Sequence, residues 1–145
     1  MLSLCSCSPV SKFSRRTKRN AGAGIDVSGC RVERETDTTG WFGDGEYLIV
    51  FDCGGSEEKI LDQVRGWNGF PLTEGLREAV YASGLAGAYG IPEIGRGAWL
   101  FYDRFPGGTD DRRSDGKLLS RPARDYTLVM YDADGGKLYY LESDT

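Results

Sequence analysis

The chain has 145 residues, 39% of them hydrophobic and 12% aromatic, and a formal net charge of −4. That length supports one domain with a core of its own, and the aromatic content excludes a disordered chain. There is no histidine, which excludes Ser-His-Asp and Cys-His catalysis, HExxH zinc sites and histidine pH switching.

The charge is uneven. Residues 1–20 hold five bases (Lys12, Arg15, Arg16, Lys18, Arg19) and no acid, leaving 13 bases against 22 acids, or −9, in the rest. An acidic body argues against nucleic acid as a partner, because phosphate neutralisation needs a basic surface. The four cysteines, at 5, 7, 30 and 53, lack the paired spacing of a zinc ribbon. No apolar run reaches the length of a transmembrane helix. No cofactor and no metal site are assigned.

Residues 1–7 end in Leu4-Cys5-Ser6-Cys7, an aliphatic residue three before a cysteine and a small residue just before it. This resembles the lipobox of bacterial lipoproteins, in which the cysteine, here Cys7, is acylated. The charged and apolar regions of a signal peptide do not precede it, so the reading carries an upstream start or a lost export signal with it. Residues 8–24 are polar, basic and small, with Pro9 early, and read as a flexible tether. The folded domain is expected over 25–145.

Within that domain, Cys30 to Thr38 reads as an outer strand with Val32 its only strong apolar residue. Gly40 to Gly45 turns the chain into the strongest strand signal, Tyr47 to Phe51, a run apolar enough to be buried on both faces. Pairing these strands as a hairpin places Cys30 opposite Cys53 and Thr38 opposite Gly45, and predicts a Cys30–Cys53 disulfide. Ser56 is placed to cap a first helix, whose stripe is Ile60, Leu61, Val64 and Trp67. Thr73 is placed to cap a second, with Leu76, Ala79, Val80 and Ser83 facing inward. The first stripe is expected to pack beside Trp99 and Phe101 or Leu100.

Gly84 to Gly97 reads as loop, and Ala98 to Tyr102 as an aromatic strand. Phe105 to Arg124 is a long polar excursion, functional or mobile by its length, pinned by Leu118 and Leu119. Tyr126 to Tyr131 and Lys137 to Leu141 form a hairpin around Asp132-Ala-Asp-Gly-Gly136. The order β-β-α-α-β-β-β predicts an α+β fold, an antiparallel sheet of about five strands with both helices on one face.

Three groups of residues are candidates for chemistry. Asp132-Ala133-Asp134-Gly135 begins like a calcium loop but lacks the twelfth-position glutamate and the flanking helices, and Asp-Gly between strands is hairpin chemistry. Asp110, Asp111 and Asp115 are neutralised by Arg112 and Arg113. Glu46, Asp52, Glu93 and Asp103 lie near strand ends and are the carboxylates that a hydrolase would need, although no spacing pairs any two of them. The glycine-rich loop holding Trp41, Phe42 and Asp44 is different in kind. Either one aromatic tucks back as a lid on the core, or the loop is a small patch for a partner protein or ligand.

With these pieces assembled, the chain resembles a set of small, uncharacterised lipoproteins of Gram-positive, mostly clostridial, gut bacteria. The resemblance is carried by Leu4-Cys5-Ser6-Cys7, by Thr38-Thr39-Gly40-Trp41-Phe42-Gly43-Asp44-Gly45 and by Trp67-Asn68-Gly69-Phe70-Pro71-Leu72-Thr73. Tyr102-Asp103-Arg104 and the closing Leu138 to Thr145 extend it over nearly the whole chain. In those relatives histidines commonly sit in the loop before Gly-Asp-Gly, where this chain has Thr39, Trp41 and Phe42. The resemblance implies a place outside the cytoplasmic membrane, held by a lipid anchor, and no activity. The function expected is that of a tethered extracytoplasmic binding domain; the rival is a carboxylate-dependent hydrolase acting on cell-surface or extracellular substrate.

Overall fold

Tyr47 to Phe51, the run that reads as buried on both faces, forms the middle of strand β2 (Gly45–Asp52), and all five side chains are fully buried. The computed structural model describes residues 9–41, 43–105 and 111–145. Its six strands form one antiparallel sheet in the order β1-β2-β6-β5-β4-β3. These are β1 (Arg31–Asp37), β2, β3 (Asn68–Gly69), β4 (Gly97–Asp103), β5 (Tyr126–Asp132) and β6 (Lys137–Asp144). The last strand enters the middle of the sheet, pairing with β2 over eight residues and with β5 over seven. The architecture is the expected α+β, with the two-residue β3 added at the edge beyond β4.

Alternation along β2 divides the core in two. Leu48 and Val50 face one layer with Trp99, Phe101, Leu128, Met130 and Leu141. Tyr47, Ile49 and Phe51 face the other with Val129, Tyr131, Leu138 and Tyr140. Helix α2 (Glu57–Gln63) closes the second layer with Ile60 and, just past its end, Val64. Helix α3 (Glu74–Arg77), the π-helical turn Glu78–Ala82 that continues it and α4 (Leu85–Ala88) close the first with Leu76, Val80 and Ala86. The two expected helices therefore lie on opposite faces rather than on one. A sheet whose central strands are apolar on both sides needs cover on both.

The stretch 8–24, read as a flexible tether, is largely helix α1 (Pro9–Asn20). Its one aromatic residue explains the difference. Phe13 is fully buried, edge-on to Phe51 at 4.7 Å and to Tyr140 at 5.2 Å between ring centroids. Thr17 and Ala21, at i+4 and i+8 from it, are buried on the same face. The helix crosses the strands: Lys12 reaches Glu35 of β1, Phe13 lies against β2 and β6, Asn20 bonds Glu142 of β6, and Gly22 adjoins Tyr102 of β4.

Finer expectations divide. Cys30 and Cys53 do form a disulfide, with Cα atoms 4.3 Å apart, just beyond the Arg31–Asp52 pair. An irregularity between Val32 and Arg34 then slips the ladder by one, so Thr38 bonds Glu46 rather than facing Gly45. Thr73 caps α3 by accepting from the Leu76 amide at 3.2 Å. Ser56 does not cap α2, since its hydroxyl donates to the Gly29 carbonyl instead. Leu61 is 45% exposed, Ser83 is exposed and Trp67 is half-buried. Trp67 packs on the layer opposite Trp99 and Phe101, the layer against which Leu100 also packs.

Candidate functional site

The β1–β2 turn is braced from below and open at its tip. The Asp37 carboxylate accepts from both the amide and the hydroxyl of Thr39, the Gly43 amide donates to the Gly40 carbonyl at 3.0 Å, and the Gly40 amide to that of Asp44 at 3.1 Å. Gly45 has φ +137°, and a Cβ there would lie 2.6 Å from the Thr38 carbonyl oxygen, so only glycine closes the turn. The Tyr89 hydroxyl, brought from the end of α4, donates to Glu46 at 2.9 Å and stands 3.0 Å from the Thr38 hydroxyl. On this frame Trp41 is 102% exposed, so it is not a lid on the core. Asp44 is exposed beside it. Phe42 and Cys7 lie outside the described residues.

The carboxylates of the rival reading are scattered, and Glu46, Asp52 and Asp103 are bonded to groups of the fold. Glu46 and Asp103 share a face and a row of the sheet, through Ser143 and Tyr126. Three strand spacings part their backbones by about 14 Å, beyond the separation of a glycosidase pair. Asp103 is buried and accepts two bonds from Arg121, at 2.7 and 3.0 Å. Asp52 accepts from the Gly54 amide and Arg31, which hold it below the usual carboxylate range. Glu93 borders a shallow hollow with Phe70, Pro71, Leu72, Arg77, Tyr81 and Ile94, of about 40 Å³. That is room for a few waters at most. Burial pushes the Tyr81 phenol up to about 12, and its hydroxyl donates a hydrogen bond to the Pro92 carbonyl at 2.8 Å.

The Asp132 turn behaves as hairpin chemistry. One carboxylate oxygen accepts from the amides of Asp134 and Gly135, and Asp134 pairs with Arg96 at 2.9 Å. Asp115 is used in the fold, accepting from the Thr73 hydroxyl at 2.5 Å. Arg113 reaches the Phe101 and Gly22 carbonyls, which ties the long excursion to β4 and to the end of α1.

A buried ionic knot beneath α1 went unread in the sequence. Glu142, 1% exposed, accepts from Arg16 at 2.6 Å, Asn20 at 2.9 Å and the Tyr140 hydroxyl at 2.8 Å. The Arg16 guanidinium also lies 3.8 Å from the Tyr47 ring centre, and the Tyr47 hydroxyl donates to Glu35 at 2.7 Å. The available signal was the spacing of Lys12, Arg15, Arg16 and Arg19 around Phe13, which is that of one helical flank.

Comparison of the chain with protein-family models, with curated proteins and with solved structures finds no match in any of the three. Among the described residues no helix is long and apolar enough to cross a membrane, and no cluster of three metal-ligating side chains occurs.

Proposed function

We propose that this chain is a membrane-tethered extracytoplasmic binding domain, similar in kind to the clostridial lipoproteins it resembles, anchored through Cys7. The hairpin tip of Trp41, Phe42 and Asp44 is its contact with a partner protein or small ligand. One observation carries the reading: a fully exposed tryptophan stands on a turn that the fold braces without using it. Rigid, exposed aromatics are favoured as binding anchors because they contribute contact area at little entropic cost. The Cys30–Cys53 disulfide supports an oxidising compartment.

A photo-reactive amino acid at position 41, in intact cells of the source organism, tests the contact. The same probe at Leu61, another exposed apolar position on a different element, is the control. A discrete adduct from 41, lost on Asp44→Arg and absent from 61, is the expected result. Equal labelling from both positions, or none from 41, counts against the tip as a binding site.

A further inference from the structure

The sheet finishes its edges differently. At the β4 edge the fold uses the outward backbone groups. Strand β3 pairs with Ala98 and Trp99, the Arg113 side chain donates to the Phe101 carbonyl at 3.1 Å, and the Asp103 amide donates to the Arg112 carbonyl at 2.7 Å. At the β1 edge it does not. The Thr38 amide donates to the Glu46 carbonyl at 2.9 Å, and the pairs Thr36–Leu48 and Arg34–Val50 continue that register. Antiparallel pairs alternate, so Arg34, Thr36 and Thr38 bond β2, while Glu35 and Asp37 turn their N–H and C=O groups away from the sheet. Among the described residues nothing bonds those groups. The strand that carries them is held in place by its side chains: Arg34 donates to the Tyr89 carbonyl at 2.6 Å, Glu35 accepts from Tyr47 at 2.7 Å, and Asp37 accepts from Thr39.

We infer that the outer edge of β1 takes an extended segment of a partner protein as a further strand, with a lysine or arginine opposite Asp37. The inference rests on the reading of the β1–β2 hairpin as the binding contact and deepens it, since a segment laid along β1 continues past Asp37 toward the turn that carries Trp41. The groups on offer name the occupant. An N–H and a C=O stand at Glu35 and again at Asp37, about 7 Å along the strand, which is the spacing of an extended backbone. Charge decides against a second copy of this chain. In every antiparallel register that bonds the outward groups, a copy sets its own Glu35 or Asp37 opposite these, and like charges directly opposite are destabilising. Both acids are exposed. Glu35 has Lys12 at 3.9 Å, whereas Asp37 accepts from Thr39 and has no base paired with it among the described residues. A base on the incoming strand supplies one. The irregularity between Val32 and Arg34 confines regular pairing to the part of β1 nearer the tip.

The test uses the full chain with its disulfide intact, and a short capped peptide of alternating lysine and valine as the probe. In the free protein the amides of Glu35 and Asp37 should exchange hydrogen fast, and those of Arg34 and Thr36 slowly. Added peptide should protect Glu35 and Asp37. Methylating the peptide's backbone nitrogens at its lysines, the residues opposite Glu35 and Asp37, should lower affinity by about fivefold for each bond lost. Methylating them at the valines, whose N–H groups point away from β1, should change it little. Asp37→Asn, which keeps the bonds from Thr39, should weaken binding by about threefold. No protection at millimolar peptide, equal protection by the lysine-methylated peptide, or an unchanged affinity of Asp37→Asn would overturn the inference. So would protection of these amides in the protein alone, whether it grows with protein concentration, as for a second copy, or is lost on removing residues 1–8, as for the chain's own leading segment. Label from position 41 in cells without protection by the peptide sinks this inference and leaves the tip reading standing; protection without label from 41 does the reverse.

Discussion

Glu142 shows how a single side chain ties the amino-terminal helix to the last strand. A buried carboxylate is tolerated only when its charge is matched and its lone pairs are bonded, and Arg16, Asn20 and Tyr140 do both. Removing one partner of a buried pair costs about 3–5 kcal/mol. Arg16 keeps about a fifth of its side chain in solvent, so Arg16→Ala should cost about 2–3 kcal/mol in urea unfolding. A loss below about 0.5 kcal/mol, the size of an exposed pair, would show that the knot is decorative. Asp26 contributes one part of the acid limb of the stability profile, a part that solvent screens because its side chain is 60% exposed. Hydrogen bonds from the Ser28 hydroxyl and amide, then Lys59, lower its carboxyl from 3.8 to about 2. A group depressed on folding stabilises fully above its unfolded pKa and loses that contribution as pH falls through the folded one. The wild-type melting temperature should therefore fall between about pH 4 and pH 2, and Asp26→Asn should flatten the fall. An unchanged profile in the variant would refute the assignment.

At the scale of elements, α1 and α2 reveal what the sequence showed and what it hid. Strand β2 was legible because Tyr47 to Phe51 is apolar at every position, and the β5–β6 hairpin because Asp132 to Gly136 is turn chemistry between two such runs. The register at Cys30 and Cys53 followed from strand lengths; the irregularity near Glu33 did not, since no glycine marks it. Helix α1 was hidden because five bases in twelve residues resemble a solvated linker, and only Phe13, Thr17 and Ala21 mark the buried face. The sides taken by α2 and α3 were hidden for another reason. Both stripes are apolar, and nothing local says which layer receives which stripe. Phe13→Ala is the direct check on α1. It should cost about 3–5 kcal/mol, as for a fully buried phenylalanine, whereas a tether residue would cost nothing measurable. Trp67→Ala should cost less than that, because Trp67 is only half-buried.

For the whole molecule, the Cys30–Cys53 bridge locks the open end of the first ladder under the loop that holds Ile25 and Val27 in the core. With the cysteines 23 positions apart in sequence, its loss should cost roughly 3 kcal/mol by restored freedom of the unfolded chain. Reduction should lower the unfolding free energy by that amount, and the Cys30→Ser/Cys53→Ser variant should no longer respond to reductant. At the candidate site, the hairpin tip was legible as an unusual pair of aromatics on a glycine turn, and the exposure of Trp41 settles against its acting as a lid. What it would bind was not legible, because an exposed loop presents a surface and names no chemistry.

The proposed anchoring of this acidic α+β domain at a membrane through Cys7 has a direct test. The direct measurement is cell fractionation with labelled palmitate on the protein expressed from its own full reading frame. Label is expected in the membrane fraction of the wild type and none on Cys7→Ser, whose fold and disulfide should be unchanged. A soluble, unlabelled wild-type protein with reduced cysteines would contradict it.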